Sequence, residues 1–214
     1  MIKLENTEVV GWEHSIRGMR NPKNSWDRSD SRFQPCAFGN PAKVGPNDHE
    51  LMTDLAAGGP VHAKYRRMVV VYVDITAPLY WWKEFDTYKV GTVANSCSTM
   101  HKIHDKEFTL EDFSHEHLEP HCRRHLEATI ELLNTNREAY NWCNTEAKKD
   151  WWWQMIQLLP SSYNQKRTIM LNYEVLVGIY KWRKNHKLDE WREFCEWIEK
   201  LPYSELITGN VKED

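Results

Sequence analysis

The chain has 214 residues, of which 41% are hydrophobic and 28% charged, a balance typical of a folded globular protein and not of a disordered one. The formal net charge of -3 and the lack of a basic block exclude a general nucleic-acid-binding protein. The sequence contains no secretory leader and no run of about 18 apolar residues. We therefore expect a cytoplasmic protein without a membrane span.

The five cysteines are scattered and form no CxxC pair: Cys36, Cys97, Cys122, Cys143 and Cys195. An odd number of dispersed thiols favours a reducing compartment over a disulfide framework. Eleven tryptophans, three of them consecutive at 151–153, predict aromatic packing in the core or between subunits. Stacking on a ring cofactor is the alternative.

The first elements in chain order follow a segment rich in turn-forming residues. Residues 1–47 abound in Pro, Gly, Asn, Ser and Asp, which predicts a largely irregular segment with a short strand at 8–12. A helix is predicted at 48–57, where Asn47 can serve as the N-cap. The β-branched run at 68–76 predicts a strand that is buried on both faces.

The middle of the chain begins with a predicted helix at 78–88, because Pro78 suits a first helical turn. Residues 90–100 are small and polar, which predicts a loop. Apolar residues at spacings of three and four then predict two helices, Pro120–Trp142 and 145–158.

The last part of the chain carries two further helical patterns, at 164–182 and 188–201. One clear strand among several long helices predicts an α+β fold. No repeat or break in composition marks a second domain, so we expect residues 1–214 to form one domain.

Two separated stretches carry a recognisable pattern. The first has His62, then the strand at 68–76, Ala77-Pro78 and a helix that leads into Thr87-Tyr88-Lys89, with seven residues between this triplet and Cys97. The second has Leu159-Pro160, Asn172, Arg183 and Trp191.

Together, these two stretches resemble the flavin-dependent thymidylate synthase family over about a third of the chain. At the triplet the family has Arg-His-Arg, and Lys89 alone keeps a positive charge here. Cys97 stands where the family has Ser, Thr99 and Ile156 stand where it has Arg, and Glu84 stands where it has Gln. The resemblance implies the family's α+β fold, with a mixed or antiparallel sheet.

The resemblance also implies a flavoenzyme. Family members bind FAD and dUMP, usually as homotetramers, with NADPH reducing the flavin and methylenetetrahydrofolate supplying the carbon. This implies a methyltransferase that modifies C5 of dUMP or of another pyrimidine deoxynucleotide. Cofactor contacts are implied for His62, Thr87, Tyr88, Lys89, Val90 and Asn172. Nucleotide contacts are implied for Glu84, Asn95, Cys97, Ser98, Thr99 and Arg183.

The chemistry of individual residues is compatible with these roles but leaves alternatives open. If the helix predicted at 164–182 includes Asn172 and ends at Arg183, the two side chains share a face about 16 Å apart, a span that suits an extended ligand. The Arg183 guanidinium could bind a phosphate in bidentate fashion. The Cys97 thiolate could attack a pyrimidine ring, or Cys97 could be a small buried residue. His62 could contact flavin or cap the adjacent turn.

The lost cations at the triplet must be replaced if a nucleotide phosphate is to bind tightly. Arg17, Arg20 and Arg28 in the N-terminal segment are available, as are cations from a neighbouring subunit.

Two other functions remain open from the sequence. The first is a metal-dependent enzyme, because several potential ligands are close in sequence: His115, His117, His121, Cys122 and His125. However, no HExxH motif is present, and Pro120 interrupts any single helix through the set. The second is a non-catalytic relative that keeps the scaffold to bind nucleotide or flavin, which the altered triplet favours.

Overall fold

The computed structural model describes residues 2–33 and 43–209, and these form the α+β fold that the sequence predicts. Four strands are present among them: Lys3–Val10 (β1), Val70–Pro78 (β2), Val93–Ser96 (β3) and Asn164–Asn172 (β4). They form an antiparallel sheet with the order β1-β2-β4-β3. The α-helices are Trp12–Arg20 (α1), Pro46–Ala57 (α2), Leu79–Phe85 (α3), Pro120–Trp142 (α4), Lys148–Leu158 (α5), Tyr173–Arg183 (α6), Asp189–Glu199 (α7) and Glu205–Thr208 (α8).

The described residues divide into two compact units. Unit 1 contains the first residues of the chain, Ile75–Thr87 and Asn95–Arg167. Unit 2 contains the described residues of Leu4–Asp74, Tyr88–Ala94 and Thr168–Asp214. That residues 1–214 form a single domain stays a prediction.

Unit 1 is built on the packing of α4 against α5. Helix α4 has the predicted bounds, begins with Pro120 in its first turn and buries Leu126, Ile130 and Leu133 at helical spacing. The core of this unit contains Ile103, Phe108, Phe113, Leu126, Ile130, Leu133 and Met155. Two of the three consecutive tryptophans, Trp151 and Trp153, remain exposed, so they are not core residues.

Unit 2 is centred on α6, which packs against α7, α8 and a 3-10 turn at Lys64–Arg67. The aromatic and aliphatic side chains at its centre are fully or almost fully buried. They include Trp12, Ile16, Met52, Tyr173, Leu176, Trp191, Phe194 and Ile198. Helix α7 buries three of the four apolar residues that the sequence pattern places on its inner face.

The N-terminal segment differs from the prediction. Within its described part, β1 and α1 replace part of the expected irregular chain, and the strand begins earlier than predicted, overlapping the predicted 8–12 at residues 8–10. The turn between them is possible because Gly11 has φ +91°, and a Cβ there would lie 2.1 Å from the Met68 carbonyl oxygen. Cys36 lies outside the described residues.

Strand β2 confirms the predicted strand but is not buried on both faces. Val71, Val73 and Ile75 are buried, whereas Tyr72 between them is 43% exposed. Inward and outward side chains therefore alternate, as in a strand with one solvated face. The predicted loop at 90–100 contains the short strand β3.

The single helix predicted at 164–182 is wrong, because β4 occupies its first half and α6 its second. Gln165, Ile169 and Leu171 are buried, and Met170 between the last two is less buried. Ile169, Tyr173 and Leu176 fit a helical period, but their spacing also fits a strand that leads into a helix. Pairing with neighbouring strands satisfies the backbone groups of 164–172 and decides between the two.

Within the described residues, no helix combines the length and apolarity that a bilayer crossing requires.

Candidate functional site

Arg183 lies at the C-terminal end of α6, where its guanidinium contacts two aromatic side chains. Its Nε donates a hydrogen bond to the Tyr88 hydroxyl over 3.0 Å. Its Cζ lies 4.7 Å from the centre of the Trp191 ring and 5.8 Å from that of Tyr88. A guanidinium this close to two ring faces gains cation–π stabilisation. The structure therefore brings together two residues that the resemblance assigns to ligand binding.

Two buried residues, Trp191 and Cys195, lie near the guanidinium of Arg183. Trp191 is fully buried, and its ring meets that of Tyr88 edge-on at 5.9 Å. Burial raises the pKa of the Cys195 thiol to about 12, with Glu199 adding to the shift and Arg183 opposing it. Cys195 is thus a neutral core residue, and it is not a nucleophile.

Asn172 is the N-cap of α6, so it does not lie on the face of a longer helix as predicted. Its Oδ1 accepts a hydrogen bond from the Val175 amide over 3.1 Å. Asn172 and Arg183 therefore mark the two ends of one helix, instead of two turns of a longer helix. The eleven-residue spacing still separates them by about 16 Å.

Gly91 packs directly beside Asn172. Its φ is +77°, and a Cβ at this position would lie 3.0 Å from Asn172 Nδ2. Lys89 and Val90, immediately before it, are exposed. Among the described residues, the buried hydroxyl oxygen of Thr92, immediately after it, has no hydrogen-bond partner. This turn therefore combines an exposed cation, close packing against Asn172 and an unsatisfied polar atom.

His62 lies elsewhere in unit 2, on a cavity of about 1450 Å³. The described lining of this cavity also includes Arg28 and Lys64, but it includes none of Lys89, Asn172 and Arg183. The His62 amide donates to the Gly59 carbonyl in a tight turn. A contact of His62 with the cofactor stays a prediction.

A buried carboxylate, which the sequence did not predict as important, stabilises the wall of this cavity. Asp48 is fully buried and accepts a 2.6 Å hydrogen bond from Arg20 Nε. Its other oxygen accepts hydrogen bonds from the hydroxyls of Ser29 and Ser31 and from the amides of Asp30 and Ser31. Arg20 is 4% exposed, so it is committed to this ion pair and is not available as a replacement phosphate ligand.

The ionisation of Asp48 is favoured by these partners. Burial alone would raise its pKa, but hydrogen bonds from Ser31, Ser29 and Arg20, together with the charge of Arg20, lower the pKa below its ordinary value. Arg20 and Asp48 are 28 residues apart, so no local sequence motif predicts the pair.

Unit 1 holds the remaining predicted site residues around Cys97. Cys97 is exposed, so the alternative of a small buried cysteine is wrong. Its amide donates to the Lys166 carbonyl, and its carbonyl accepts from Gln165 Nε2, both over 2.9 Å. The backbone of this loop is therefore held against β4, with the thiol directed away from the core.

Arg167 anchors the same region and was not predicted. Its guanidinium stacks 4.1 Å from the Trp82 ring centre and bridges Asp86 at 2.7 Å. Its Nε donates to the Gln165 side chain, which in turn reaches Cys97. Alternation along a strand would have placed Gln165 and Arg167 on the same side, had β4 been recognised.

Several of the residues in unit 1 that were predicted to contact nucleotide or cofactor have local structural roles. The Ser98 hydroxyl accepts from the amides of Met100 and His101. The Thr87 hydroxyl donates to the Glu84 carbonyl at the end of α3. Asn95 is exposed, whereas Glu84 and Thr99 are half-buried. Ligand contacts of these residues stay predictions.

The histidine-rich segment does not form a metal site. In the part of the chain that the structure describes, no group of three or more His, Cys, Asp or Glu side chains is placed to hold a metal ion. His115 contacts the Phe113 carbonyl through Nδ1, and His121 contacts the neighbouring Cys122. Because α4 begins at Pro120, His115 and His117 lie before the helix that carries the others.

Comparison with known proteins gives no match by sequence, since no family model and no curated protein matches the chain. By structure, a crystal structure of thymidylate synthase X from Helicobacter pylori with FAD and dUMP is similar over 100% of both chains, with a TM-score of 0.67 and 13% identity. The chain has the fold of a flavin-dependent thymidylate synthase. The resemblance carried by the two sequence stretches is thus confirmed at the level of the fold.

Two further structures support this fold. A second flavin-dependent thymidylate synthase structure from Helicobacter pylori, complexed with FAD and dUMP, matches with a TM-score of 0.66, 13% identity and 99% of each chain. The UMP/dUMP methylase PolB from Streptomyces cacaoi, bound with 5-Br dUMP, matches with a TM-score of 0.60 and 11% identity. The match covers 98% of this chain and 94% of PolB. The structural similarity therefore extends along the whole chain, although the sequence identity is low.

Proposed function

We propose that the chain is a divergent flavin-dependent enzyme of the thymidylate synthase type that modifies C5 of a pyrimidine deoxynucleotide. The observation that carries this proposal is the full-length structural match to a protein crystallised with FAD and dUMP. Reductive methylation of dUMP is the default reaction, with NADPH and methylenetetrahydrofolate as co-substrates. The match to a UMP/dUMP methylase supports the wider class of pyrimidine nucleotides as substrates.

The described residues fit an anionic flavin nucleotide at the turn beside Asn172. Lys89 supplies a positive charge, and Gly91 allows the turn to pack closely against Asn172. When bound, the flavin supplies the hydride, while the protein supplies position and charge. We assign Lys89, Val90 and Asn172 to this role.

The nucleotide phosphate is assigned to Arg183. A guanidinium offers five N–H donors in a rigid plane, which matches the oxygens of a phosphate. With only one cation at the triplet, further positive charge from a neighbouring subunit of a homotetramer would complete the site.

A non-catalytic relative is the second candidate, and one observation favours it. The residues at the triplet are partly engaged within the protein, because the Thr87 hydroxyl binds the Glu84 carbonyl and the Tyr88 hydroxyl accepts from Arg183. Such a protein would bind nucleotide without turning it over.

A binding experiment tests both candidates against a protein that binds neither ligand. Purified protein is mixed with FAD and separated from excess flavin. Its absorbance is then recorded between roughly 350 and 500 nm, where the bound flavin itself absorbs. We expect retained FAD and binding of dUMP. Retention of neither ligand would refute the flavoenzyme.

The role of Arg183 is tested with a matched pair of variants. Arg183→Met should weaken dUMP binding at least about tenfold, because a hydrogen bond to a charged group contributes about 1.5–3 kcal/mol. Lys181→Met removes the same charge from α6, but its side chain points about 160° away around the helix. Equal losses in the two variants would show a general charge effect and would remove Arg183 from the site.

A further inference from the structure

The Cys97 loop, residues 97–99, is connected to the end of α3 by two side chains of β4. Gln165 Nε2 donates a hydrogen bond to the Cys97 carbonyl over 2.9 Å, and Arg167 Nε donates to Gln165 Oε1 over 3.0 Å. Arg167 Nη1 in turn donates to Asp86, the residue that follows α3, over 2.7 Å. All of these residues belong to unit 1.

Arg167 determines which way the Gln165 amide faces. An amide side chain can turn over and so exchange its donor and acceptor ends. The Arg167 Nε–H group is a donor only, so it must face the Gln165 oxygen, and the NH2 group is left to donate to Cys97. Gln165 is 8% exposed, so water competes little for these bonds. The hydrogen bond to the Cys97 carbonyl therefore depends on Arg167.

Arg167 is itself restricted by its surroundings. Its guanidinium lies 4.1 Å from the centre of the Trp82 ring, and its side chain is 14% exposed. Trp82 Nε1 donates to the Gln165 carbonyl over 3.0 Å, which holds the ring against the same strand. These contacts order both polar side chains in the folded protein, before any ligand binds.

We propose that Gln165 and Arg167 are positioning residues that hold the Cys97 loop in the conformation that contacts a pyrimidine nucleotide. This role rests on the proposed function and on the nucleotide contacts predicted for the loop. A loop that is ordered in advance loses less conformational entropy on binding, so it binds its ligand more tightly. Cys97 is exposed, so the loop is accessible to a ligand while its backbone is bound to β4.

The test measures dUMP binding in the wild type, Gln165→Met, Arg167→Met and the double variant. Gln165→Met keeps the length of the side chain and removes the amide. We expect it to weaken dUMP binding about two- to tenfold, the effect of one lost hydrogen bond. FAD retention should not change, because the flavin is assigned to residues of unit 2. In the Gln165→Met background, Arg167→Met should have no further effect, whereas a long-range effect of the lost charge would persist.

Hydrogen exchange measures the order of the loop directly. The Cys97 amide donates to the Lys166 carbonyl, and it should exchange about two- to tenfold faster in Gln165→Met and in Arg167→Met. Arg123→Met is the matched control, because it removes an exposed arginine of α4 that pairs with Glu127 one turn away. It should change neither the exchange of the loop nor dUMP binding.

The outcomes distinguish a failure of this role from a failure of the proposed function. If the wild type binds dUMP and Gln165→Met binds it equally well, the positioning role is wrong, even if the loop exchanges faster. Equal effects of Arg167→Met with and without Gln165 would overturn it too, as would a parallel loss of FAD. A wild type that does not bind dUMP would refute the proposed function and this role together. Thermal unfolding verifies that each variant is folded, and Gln165→Asn, which shortens the reach of the amide, replaces Gln165→Met if that variant does not fold.

Discussion

Replacing Asp48 by asparagine should destabilise unit 2 strongly. In the folded protein, Arg20 reaches one oxygen of Asp48, while two hydroxyls and two amides reach the other. In one orientation the asparagine NH2 group would face the Arg20 Nε–H, and in the other it would face the backbone amides. Both are donors only, so neither can accept a hydrogen bond from the NH2 group. The change also leaves the buried Arg20 charge without its counter-ion.

The expected cost of Asp48→Asn is about 3–5 kcal/mol, the range for a buried ion pair that loses one partner. This is a large share of the roughly 5–15 kcal/mol by which a protein is stable. Urea unfolding followed by tryptophan fluorescence measures it as a lower midpoint with an unchanged slope. Asp54→Asn, an exposed change on the same helix, is the control and should cost less than about 0.5 kcal/mol.

The pH dependence gives an independent check of the same carboxylate. Because the pKa of Asp48 is lower in the folded protein than its ordinary value, its ionisation adds stability above that value of about 3.9. This stability is lost as the pH falls through the lower, folded pKa. The difference between wild type and Asp48→Asn should therefore be full at pH 7 and shrink below about pH 4. A loss below about 1 kcal/mol at pH 7 would refute the reasoning.

The remaining predictions concern local structure near the two candidate sites. Asn172→Ala should cost about 1 kcal/mol in urea unfolding, because the Val175 amide loses its cap. Gly91→Ala should cost more than about 1 kcal/mol by the same method, since φ is positive and the new Cβ meets Asn172. Cys97 should react rapidly with a thiol reagent in the native protein, whereas Cys195 should react only after unfolding. Slow labelling of Cys97, measured against Cys97→Ser, would show that its loop is covered.

The sequence predicted much of the fold because many elements are marked by strong local patterns. Helix α4 has both predicted bounds, since Pro120 starts it and its apolar residues keep one period. Strand β4 was not predicted because its buried residues fit both the alternation of a strand and the period of a helix. Pairing with neighbouring strands favours the strand, and those strands are distant in sequence.

The candidate site was only partly predictable for the same reason. The family resemblance predicted ligand contacts for Tyr88 and Arg183. Their contact with each other joins residues 95 positions apart, and no sequence motif indicates it. Arg167 was not predicted as a site residue because it lies in β4, which the sequence pattern predicted as part of a helix. Arg20 looked like a spare cation, yet burial opposite Asp48 gives it a structural role.

The central claim, C5 modification of a pyrimidine nucleotide, is tested most directly by hydrogen loss from that carbon. Protein loaded with FAD is supplied with NADPH, methylenetetrahydrofolate and dUMP or UMP tritiated at C5. We expect tritium to appear in water, its release to require FAD, and Arg183→Met to lower the release at least about tenfold. If the FAD-loaded wild-type protein releases no tritium from either nucleotide, the proposed C5 modification is wrong.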